Sequence, residues 1–187
     1  FGSQSENYMD EFIKIEKSNP SKIIEIHNRP HYLKYLINEG VKSKFVLYFH
    51  NDPLTMTGSK SLSERKYLVD ICEKIVFNSL WSKKRFLEKI PSGSISGEKL
   101  TVIFQSASKN KVNLNRKKKW ITFVGKLNRS KGYDIFGSSV LKILKKYKDW
   151  QAIVIGDEQR DKITFNHERL KNLGFLEHKK VINIFKK

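Results

Sequence analysis

The stretch WITFVGKLNRSKGYDIF, residues 120–136, combines an apolar run with two glycines and two lysines that are five positions apart. Gly125 and Lys126 follow the apolar run directly, and Lys131 and Gly132 precede an amphipathic pattern. Glycine lets a ligand approach the backbone closely, and the free amides at a helix start carry partial positive charge. In α/β proteins, ligands bind where a parallel strand ends and the next helix begins. The pattern therefore predicts a diphosphate site at this corner.

The stretch differs from the two common nucleotide-binding motifs. GKLNRSKG matches neither the P-loop pattern G-x-x-x-x-G-K-[ST] nor the dinucleotide fingerprint G-x-G-x-x-G. The sequence has one cysteine, Cys72, which excludes an internal disulfide and zinc sites built from several thiolates. Because Cys72 lies among apolar residues, we predict a buried side chain rather than a nucleophile.

Short apolar runs predict the strands that position this corner: 22–26, 44–49, 74–77, 100–104, 120–124 and 151–155. Their continuous apolar character is typical of parallel strands covered on both faces by helices. One helix is predicted from a single apolar stripe, formed by Tyr133, Phe136, Val140, Ile143, Leu144 and Tyr147. Ser79 is predicted to cap another helix, which ends before Pro91. Alternating strands and helices predict an α/β fold with parallel sheets.

A break in composition divides the chain. Residues 107–120 have little apolar content and include four consecutive cations, Arg116 to Lys119. We interpret this segment as the passage between two α/β units, with a domain 1–115 and a domain 116–187. The four cations are either a solvated basic loop or a specific binding patch.

The whole chain is strongly basic. Over 187 residues, 37 Lys and Arg oppose 19 Asp and Glu, which gives a net charge of +18. This excess favours polyanionic partners such as nucleic acid, anionic lipid or phosphorylated substrates, unless it reflects a general lysine-rich composition. No apolar stretch approaches the ~18 residues of a membrane span, and the first residues lack an export signal. We therefore expect a cytoplasmic location.

The segment FVGKLNRSKGYDIF, followed by WQAIVIGDE and LGFLE, resembles the second half-domain of the GT-B glycosyltransferases. It is most similar to the retaining type often labelled family 4, which uses nucleotide-sugar donors. KFVLYFHNDP, KIVFNSLWSKKRFLEK and LTVIFQSAS resemble parts of the first domain, and IIEIHNRPHYLKYL resembles transferases of cell-surface polysaccharide assembly. The resemblance runs from about residue 22 onward. It implies two Rossmann-like parallel-sheet sandwiches, both incomplete in this chain.

In domain 116–187 the resemblance implies a donor site. Lys126 and Lys131 would hold the donor diphosphate, although the family usually has arginine at the first position and lysine lacks its bidentate fork. Gly156 and Asp157 would lie near the nucleotide, unless they form an ordinary Asp-containing turn. The base would pack near the stretch that contains Gly174, Phe175 and Leu176, where the alternative is a core aromatic.

In domain 1–115 the resemblance implies an acceptor side. His50 maps onto a histidine that faces the active-site cleft, and its neutral imidazole would hydrogen-bond a sugar hydroxyl. It is the candidate catalytic residue, with a structural loop histidine as the alternative. His27, Asn28 and Arg29 are candidate acceptor-side residues, although polar residues before Pro30 are also ordinary turn chemistry.

Many transferases use a metal ion held by Asp-x-Asp to neutralise the leaving diphosphate, and this sequence has no Asp-x-Asp. The two lysines would then supply that charge, so we expect no metal and no cofactor, with a nucleotide-diphosphate sugar as the donor substrate. The resemblance also implies an opening glycine-rich turn and a later pair of glutamates, which the sequence does not contain. We therefore expect a central piece of the enzyme that is inactive alone.

The leading hypothesis is a retaining hexosyltransferase that uses a glycan or lipid-linked acceptor in lipopolysaccharide or other cell-surface polysaccharide assembly. Its basic surface would sit against anionic lipid at the inner face of the cell membrane. One alternative is a basic nucleic-acid-binding α/β protein, although the sequence lacks an RNP-type aromatic signature and zinc-finger spacing. The other is a noncatalytic scaffold with the GT-B fold.

Overall fold

The computed structural model describes residues 4–91, 93–109 and 111–187, apart from the side chains of residues 4–6 and 116. The chain forms two compact units, Phe1–Ala107 and Ser108–Lys187, called unit 1 and unit 2 below. The predicted boundary, between residues 115 and 116, lies further along the same polar segment.

Unit 1 is an α/β unit with a parallel sheet in the strand order β1-β2-β3-β4. Its elements in chain order are α1 (Gln4–Ser18), β1 (Ile23–His27), α2 (His31–Asn38), β2 (Lys44–Phe49), α3 (Leu62–Ile71), β3 (Cys72–Phe77), α4 (Leu80–Phe86) and β4 (Leu100–Val102). Three-residue 3-10 turns at Pro53–Thr55 and Gly97–Lys99 join some of them.

The core of unit 1 lies on one face of its sheet, where residues of α1, α2, α3 and α4 cover the buried side chains of the strands. In β1 and β2 every second residue is buried, and the residues between them are exposed or half-buried. The prediction that all strands are covered on both faces is therefore wrong for these two strands, because the described helices pack on one side. Glu25 and His27 lie on the open face.

Unit 2 has three layers around a parallel sheet in the order β5-β6-β7. Its elements are β5 (Trp120–Val124), α5 (Tyr133–Lys146), β6 (Gln151–Ile155), β7 (Leu170–Asn172) and α6 (His178–Phe185), with 3-10 turns at Leu114–Arg116 and Arg129–Lys131. Residues of α5 pack on Ala152 and Val154, and Val181 of α6 packs on Ile153 and Ile155. Strand β6 is thus covered on both faces, as predicted.

The α/β architecture with two parallel sheets is confirmed, as are two local predictions. Ser79 caps α4 by accepting a hydrogen bond from the Ser82 amide. Cys72 is buried, and that burial raises the pKa of its thiol to about 12, so it is not a nucleophile. Only α4 and α5 were predicted as helices, so α1, α2, α3 and α6 were missed, as was β7. Helix α1 has only a weak apolar stripe, α2, α3 and α6 are eight to ten residues long, and β7 is a three-residue edge strand.

Candidate functional site

The strand ends of unit 2 meet through two glycines. The Gly125 amide donates to the Ile155 carbonyl at 3.0 Å, and the Gly156 amide donates to the Gly174 carbonyl at 2.8 Å. A Cβ on Gly156 would lie 1.9 Å from the Gly125 carbonyl oxygen, and the φ angle of Gly156 is 135°. Because no side chain fits between the two backbones, glycine is required at position 156 for this approach.

The turn between β5 and α5 is organised by Asn128. Its backbone carbonyl accepts hydrogen bonds from the amides of Lys131 at 3.3 Å and Tyr133 at 3.2 Å. Leu127 is fully buried and anchors the turn. Gly132, at φ 71°, adopts the left-handed conformation from which α5 begins.

The structure brings Lys126 and Lys131 to the same corner. Lys126 follows Gly125 directly, and its side chain is 67% exposed. The Lys131 side chain passes beside Gly125, because its Cγ lies 3.8 Å from the position that a Gly125 Cβ would occupy. Two exposed ammonium groups and a glycine backbone therefore share this strand end, an arrangement suited to a phosphate-bearing ligand.

Glu158 is a further charged residue of this corner, and sequence reasoning missed it. Its side chain is 10% exposed, and its Oε2 accepts from Asn128 Nδ2 at 2.8 Å and lies 3.7 Å from Lys126 Nζ. The pKa of Glu158 lies below its ordinary value, mainly because its carboxylate accepts a hydrogen bond from the Arg160 amide. Burial acts in the opposite direction, and the charge of Lys126 lowers the pKa further. Its carboxylate therefore ties the Asn128 turn to the loop after β6.

The other predicted donor-site residues lie at the neighbouring strand ends. Asp157 pairs with Lys162 at 2.7 Å, and this hydrogen bond lowers the pKa of its carboxyl group. Gly174 is at φ 67°, and Phe175 is 83% exposed. Phe175 is thus not a core residue, whereas Leu176 packs on the cluster beneath α6. An open cleft of about 340 Å³ beside the turn is lined by Asn128, Arg129, Ser130, Asp161 and Ile163.

At the strand ends of unit 1, His50 and His27 are hydrogen-bonded. His50 Nε2 lies 2.8 Å from His27 Nδ1, and Gln105 Nε2 lies 3.2 Å from His50 Nδ1. Because the Gln105 amide donates, His50 Nδ1 accepts and its proton lies on Nε2, which donates to His27. His27 then carries its proton on Nε2, 3.7 Å from Glu25 Oε2. Both ring nitrogens of His50 are therefore engaged.

Asn28 fixes the position of His50. Asn28 is at φ 56°, a left-handed conformation that asparagine tolerates, and its Oδ1 accepts from the His50 amide at 2.8 Å. The Asn78 side chain donates to the His50 carbonyl at 2.8 Å. Arg29 donates to the Asn28 carbonyl at 3.0 Å. Three strand ends therefore hold the backbone of His50.

His27, Asn28, Arg29 and His50 also line an open cleft of about 580 Å³. Its other lining residues come from α1, β1 and α2: Tyr8, Met9, Phe12, Ile24, Glu25, Ile26, Tyr32 and Leu36. The ring of His27 stacks on Tyr48, with centroids 4.5 Å apart. The cleft thus combines imidazole, guanidinium and amide groups with aromatic walls, which is the composition of many polar-ligand sites.

Within the described ranges, no group of three or more His, Cys, Asp or Glu side chains is placed to hold a metal ion. None of the described helices is long and apolar enough to cross a bilayer.

No protein-family model matches the sequence, and no curated protein matches it. Solved structures do match. TarM is similar at a TM-score of 0.65 and 10% identity, over 93% of this chain and 37% of that chain. Anabaena HepE in complex with UDP and glucose is similar at a TM-score of 0.59 and 15% identity, over 94% of this chain and 54% of that chain. The lipopolysaccharide outer core galactosyltransferase WaaB is similar at a TM-score of 0.53 and 13% identity, over 95% of this chain and 50% of that chain.

These structures are GT-B glycosyltransferases, and at such low identity the likeness concerns the fold. The chain spans between 37% and 54% of their length, so the likeness covers part of each. Across its two parallel-sheet units, the chain has the fold of the corresponding part of a GT-B glycosyltransferase.

Proposed function

We propose that the protein is a glycosyltransferase that moves a hexose from a nucleotide-diphosphate sugar to a glycan or lipid-linked acceptor. The observation that carries the proposal is the corner of unit 2, where Lys126 and Lys131 flank Gly125 at the end of a parallel strand. The presence of UDP and glucose in the similar HepE structure supports a nucleotide-sugar donor. The galactosyltransferase WaaB supports transfer of a hexose.

In this proposal the two lysines stabilise the leaving group. Cleavage of the bond between sugar and diphosphate places negative charge on the diphosphate while the sugar becomes oxocarbenium-like. Cations held at the diphosphate lower the energy of that transition state, so the reaction needs neither a metal ion nor a cofactor. Glu158 lies 3.7 Å from Lys126 Nζ and leaves that side chain mostly exposed, so the ammonium group retains donors for a phosphate.

Gly156, Asp157, Gly174 and Phe175 complete the proposed donor site. Gly156 gives room for the backbone contact with Gly125, and Asp157 begins the loop that Glu158 anchors. The exposed ring of Phe175 follows the neighbouring strand end and is available to pack on a nucleotide base. Retention of anomeric configuration is proposed from the resemblance to the family 4 type.

His50 is the proposed catalytic residue on unit 1. Its Nε2 is hydrogen-bonded to His27 at 2.8 Å, whereas its Nδ1 meets the exposed Gln105 amide at 3.2 Å. A sugar hydroxyl would therefore replace Gln105 and donate to Nδ1. His27, Asn28 and Arg29 are the proposed acceptor-side residues, because they line the same cleft as His50.

We place the protein in the cytoplasm, at the inner face of the membrane, where lipopolysaccharide or another cell-surface polysaccharide is assembled. The support is the named role of WaaB in the lipopolysaccharide outer core, together with the net charge of +18.

The donor site is tested by equilibrium binding of UDP, GDP and the corresponding monophosphates to the chain, both with and without a chelator. We expect the diphosphate to bind more tightly, and K126Q and K131Q each to weaken it about tenfold while changing monophosphate binding less. K126R should retain binding because it keeps the charge and adds a fork. The matched control is K171Q, which removes an exposed lysine of β7.

Equal effects of K171Q and K131Q would refute the assignment of the corner, as would a chelator-sensitive affinity. Transfer itself is tested in the whole protein by product analysis with a panel of nucleotide sugars. Release of free nucleotide with a new α- or β-glycosidic bond of the donor's configuration supports retaining transfer. Conversion of the donor into another nucleotide sugar, or no turnover in a folded protein that binds donor, contradicts it.

A further inference from the structure

The end of unit 2 where its strands begin carries a cluster of exposed lysines, which we call the basic end. Its members come from three separate segments of the sequence: Lys117, Lys118, Lys119, Lys142, Lys145, Lys146, Lys148, Lys186 and Lys187. Only the first three were visible in the sequence as a run of cations.

Backbone and side-chain hydrogen bonds tie these segments together. The Lys118 amide donates to the Lys187 carbonyl at 2.5 Å, and Lys117 Nζ donates to the Phe185 carbonyl. The Gln151 amide donates to the Lys119 carbonyl at 3.0 Å. Because β5 begins where α5 and α6 end, the parallel topology gathers the lysines of all three at one end.

The carboxylates of unit 2 are distributed in the opposite sense. At the end of the unit that carries the donor corner lie Asp134, Asp157, Glu158, Asp161 and Glu177. The acids near the basic end are Asp149, which pairs with Lys119, and Glu168, which pairs with Arg169. Unit 2 is therefore electrostatically polarised, and most charge of the basic end is not compensated.

Helix dipoles explain part of the pattern. Lys145 and Lys146 lie in the last turn of α5, where a cation is favourable against the helix carbonyls. Lys117 also lies at a helix end, because its Nζ donates to the Phe185 carbonyl of α6, and Lys148 directly follows the C-cap of α5. Lys118 and Lys119 directly precede β5, so this reason does not apply to their side chains. Helix ends therefore explain most of these lysines, whereas Lys118 and Lys119 add charge that no helix end requires.

The chemistry of the basic end fits a diffuse anionic surface. The described side chains that make up the basic end are lysines, which act as hydrated point charges, whereas binding to a single phosphate or base edge favours the planar fork of arginine. Lys118 and Lys146 lie over the rings of Trp120 and Tyr147 and remain exposed. Arg169 is occupied by carbonyls at the end of α5. Exposed apolar side chains lie among the lysines: Leu114 at 77%, Tyr147 at 46% and Phe185 at 46% exposure. Lysines mixed with exposed aromatic and apolar groups are typical of surfaces that lie on bilayers.

We propose that the basic end of unit 2 is a docking surface for anionic lipid bilayers. The donor corner lies at the opposite end of the same sheet, so a unit docked in this way keeps its strand ends open to soluble ligands. The proposal rests on the membrane location proposed above and names the surface that would provide it, but it does not depend on the transfer reaction.

The test is co-sedimentation of the chain with vesicles of phosphatidylglycerol and phosphatidylcholine, and with vesicles of phosphatidylcholine alone. The variant K142Q/K145Q/K148Q removes three charges from the basic end, and glutamine favours helices at the two positions that lie in α5. The matched control K34Q/K66Q/K84Q removes three exposed lysines from α2, α3 and α4 of unit 1. We expect the first variant to lose about fivefold in affinity per lysine, roughly a hundredfold in all, and the control to lose far less.

Binding should also fall steeply as salt rises. Equal losses in the two triple variants would overturn the proposal, because net charge alone would then explain binding. Comparable binding to neutral vesicles would overturn it as well. The proposal would also be overturned if the protein bound neither kind of vesicle but bound RNA through the same three lysines, since the basic end would then be a nucleic-acid surface.

Discussion

Substitution of Gly156 by alanine tests whether the close contact of two strand ends holds the donor corner together. The added Cβ would lie 1.9 Å from the Gly125 carbonyl oxygen and 2.8 Å from its carbonyl carbon. Backbone atoms cannot rotate away as a side chain can, so β5 and β6 must separate at this end. A side chain at φ 135° adds conformational strain.

The magnitude follows from these two effects. Strain at a positive φ costs roughly 1–3 kcal/mol, and separation of the strand ends loses the 3.0 Å bond from Gly125 to Ile155, worth about 1 kcal/mol. We expect the free energy of unfolding of unit 2 to fall by about 3 kcal/mol. Gly174 provides a matched control, because it is at φ 67° but an added Cβ there meets nothing within 4 Å. G174A should therefore lose only about 1 kcal/mol, from strain alone.

The assay is urea unfolding followed by tryptophan fluorescence in a W81F background, which leaves Trp120 and Trp150 of unit 2 as the reporters. Diphosphate affinity is measured in parallel, since displacement of Gly125 also displaces Lys126. Equal destabilisation by G156A and G174A would contradict this expectation, because the contact between the two glycine backbones would then contribute nothing to stability.

Two further predictions concern stability. Glu16 is buried and accepts hydrogen bonds from the Ser43 hydroxyl and from the amide and hydroxyl of Ser21, and despite its burial these bonds hold its pKa below the ordinary 4.5. The stabilising effect of Glu16 is therefore complete above pH 4.5 and is lost as pH falls through the lowered pKa. In urea unfolding, E16Q should be less stable than the wild type at neutral pH and should converge with it in acid. A difference in stability that does not change with pH would contradict this prediction. Arg169 donates to the Tyr147, Trp150 and Leu144 carbonyls, so R169M should cost roughly 2–3 kcal/mol and speed amide exchange at the end of α5, whereas unchanged exchange argues against that role.

Much of the fold could be predicted from the sequence, because strong local patterns decide it. The strands at 44–49, 120–124 and 151–155 have the predicted bounds, since each is an apolar run closed by a polar residue or glycine. The helix after Gly132 follows from its apolar stripe. By contrast, α1 was missed because only Met9 and Ile13 of its described residues are buried hydrophobics.

The candidate site was predictable in position more than in contacts. Parallel topology places residues that follow strands at one end of a sheet, which is why Lys126, Lys131 and His50 could be named. The role of Glu158 was not predictable, because its partners Asn128 and Lys126 are about 30 positions away in the chain. The same holds for the bond between His27 and His50, which depends on the register of β1 against β2.

Local sequence is enough to predict strands and helices with strong patterns, the glycines at the turns and the excess of positive charge, because these features depend on composition and neighbouring residues. Which distant groups share a site depends on how the strands and helices pack. In the folded chain His50 is hydrogen-bonded to Gln105 and His27, Glu158 lies beside Lys126, and lysines from three segments lie at one end of unit 2. Such pairings depend on strand register and on where helices end, and no single stretch of sequence encodes either.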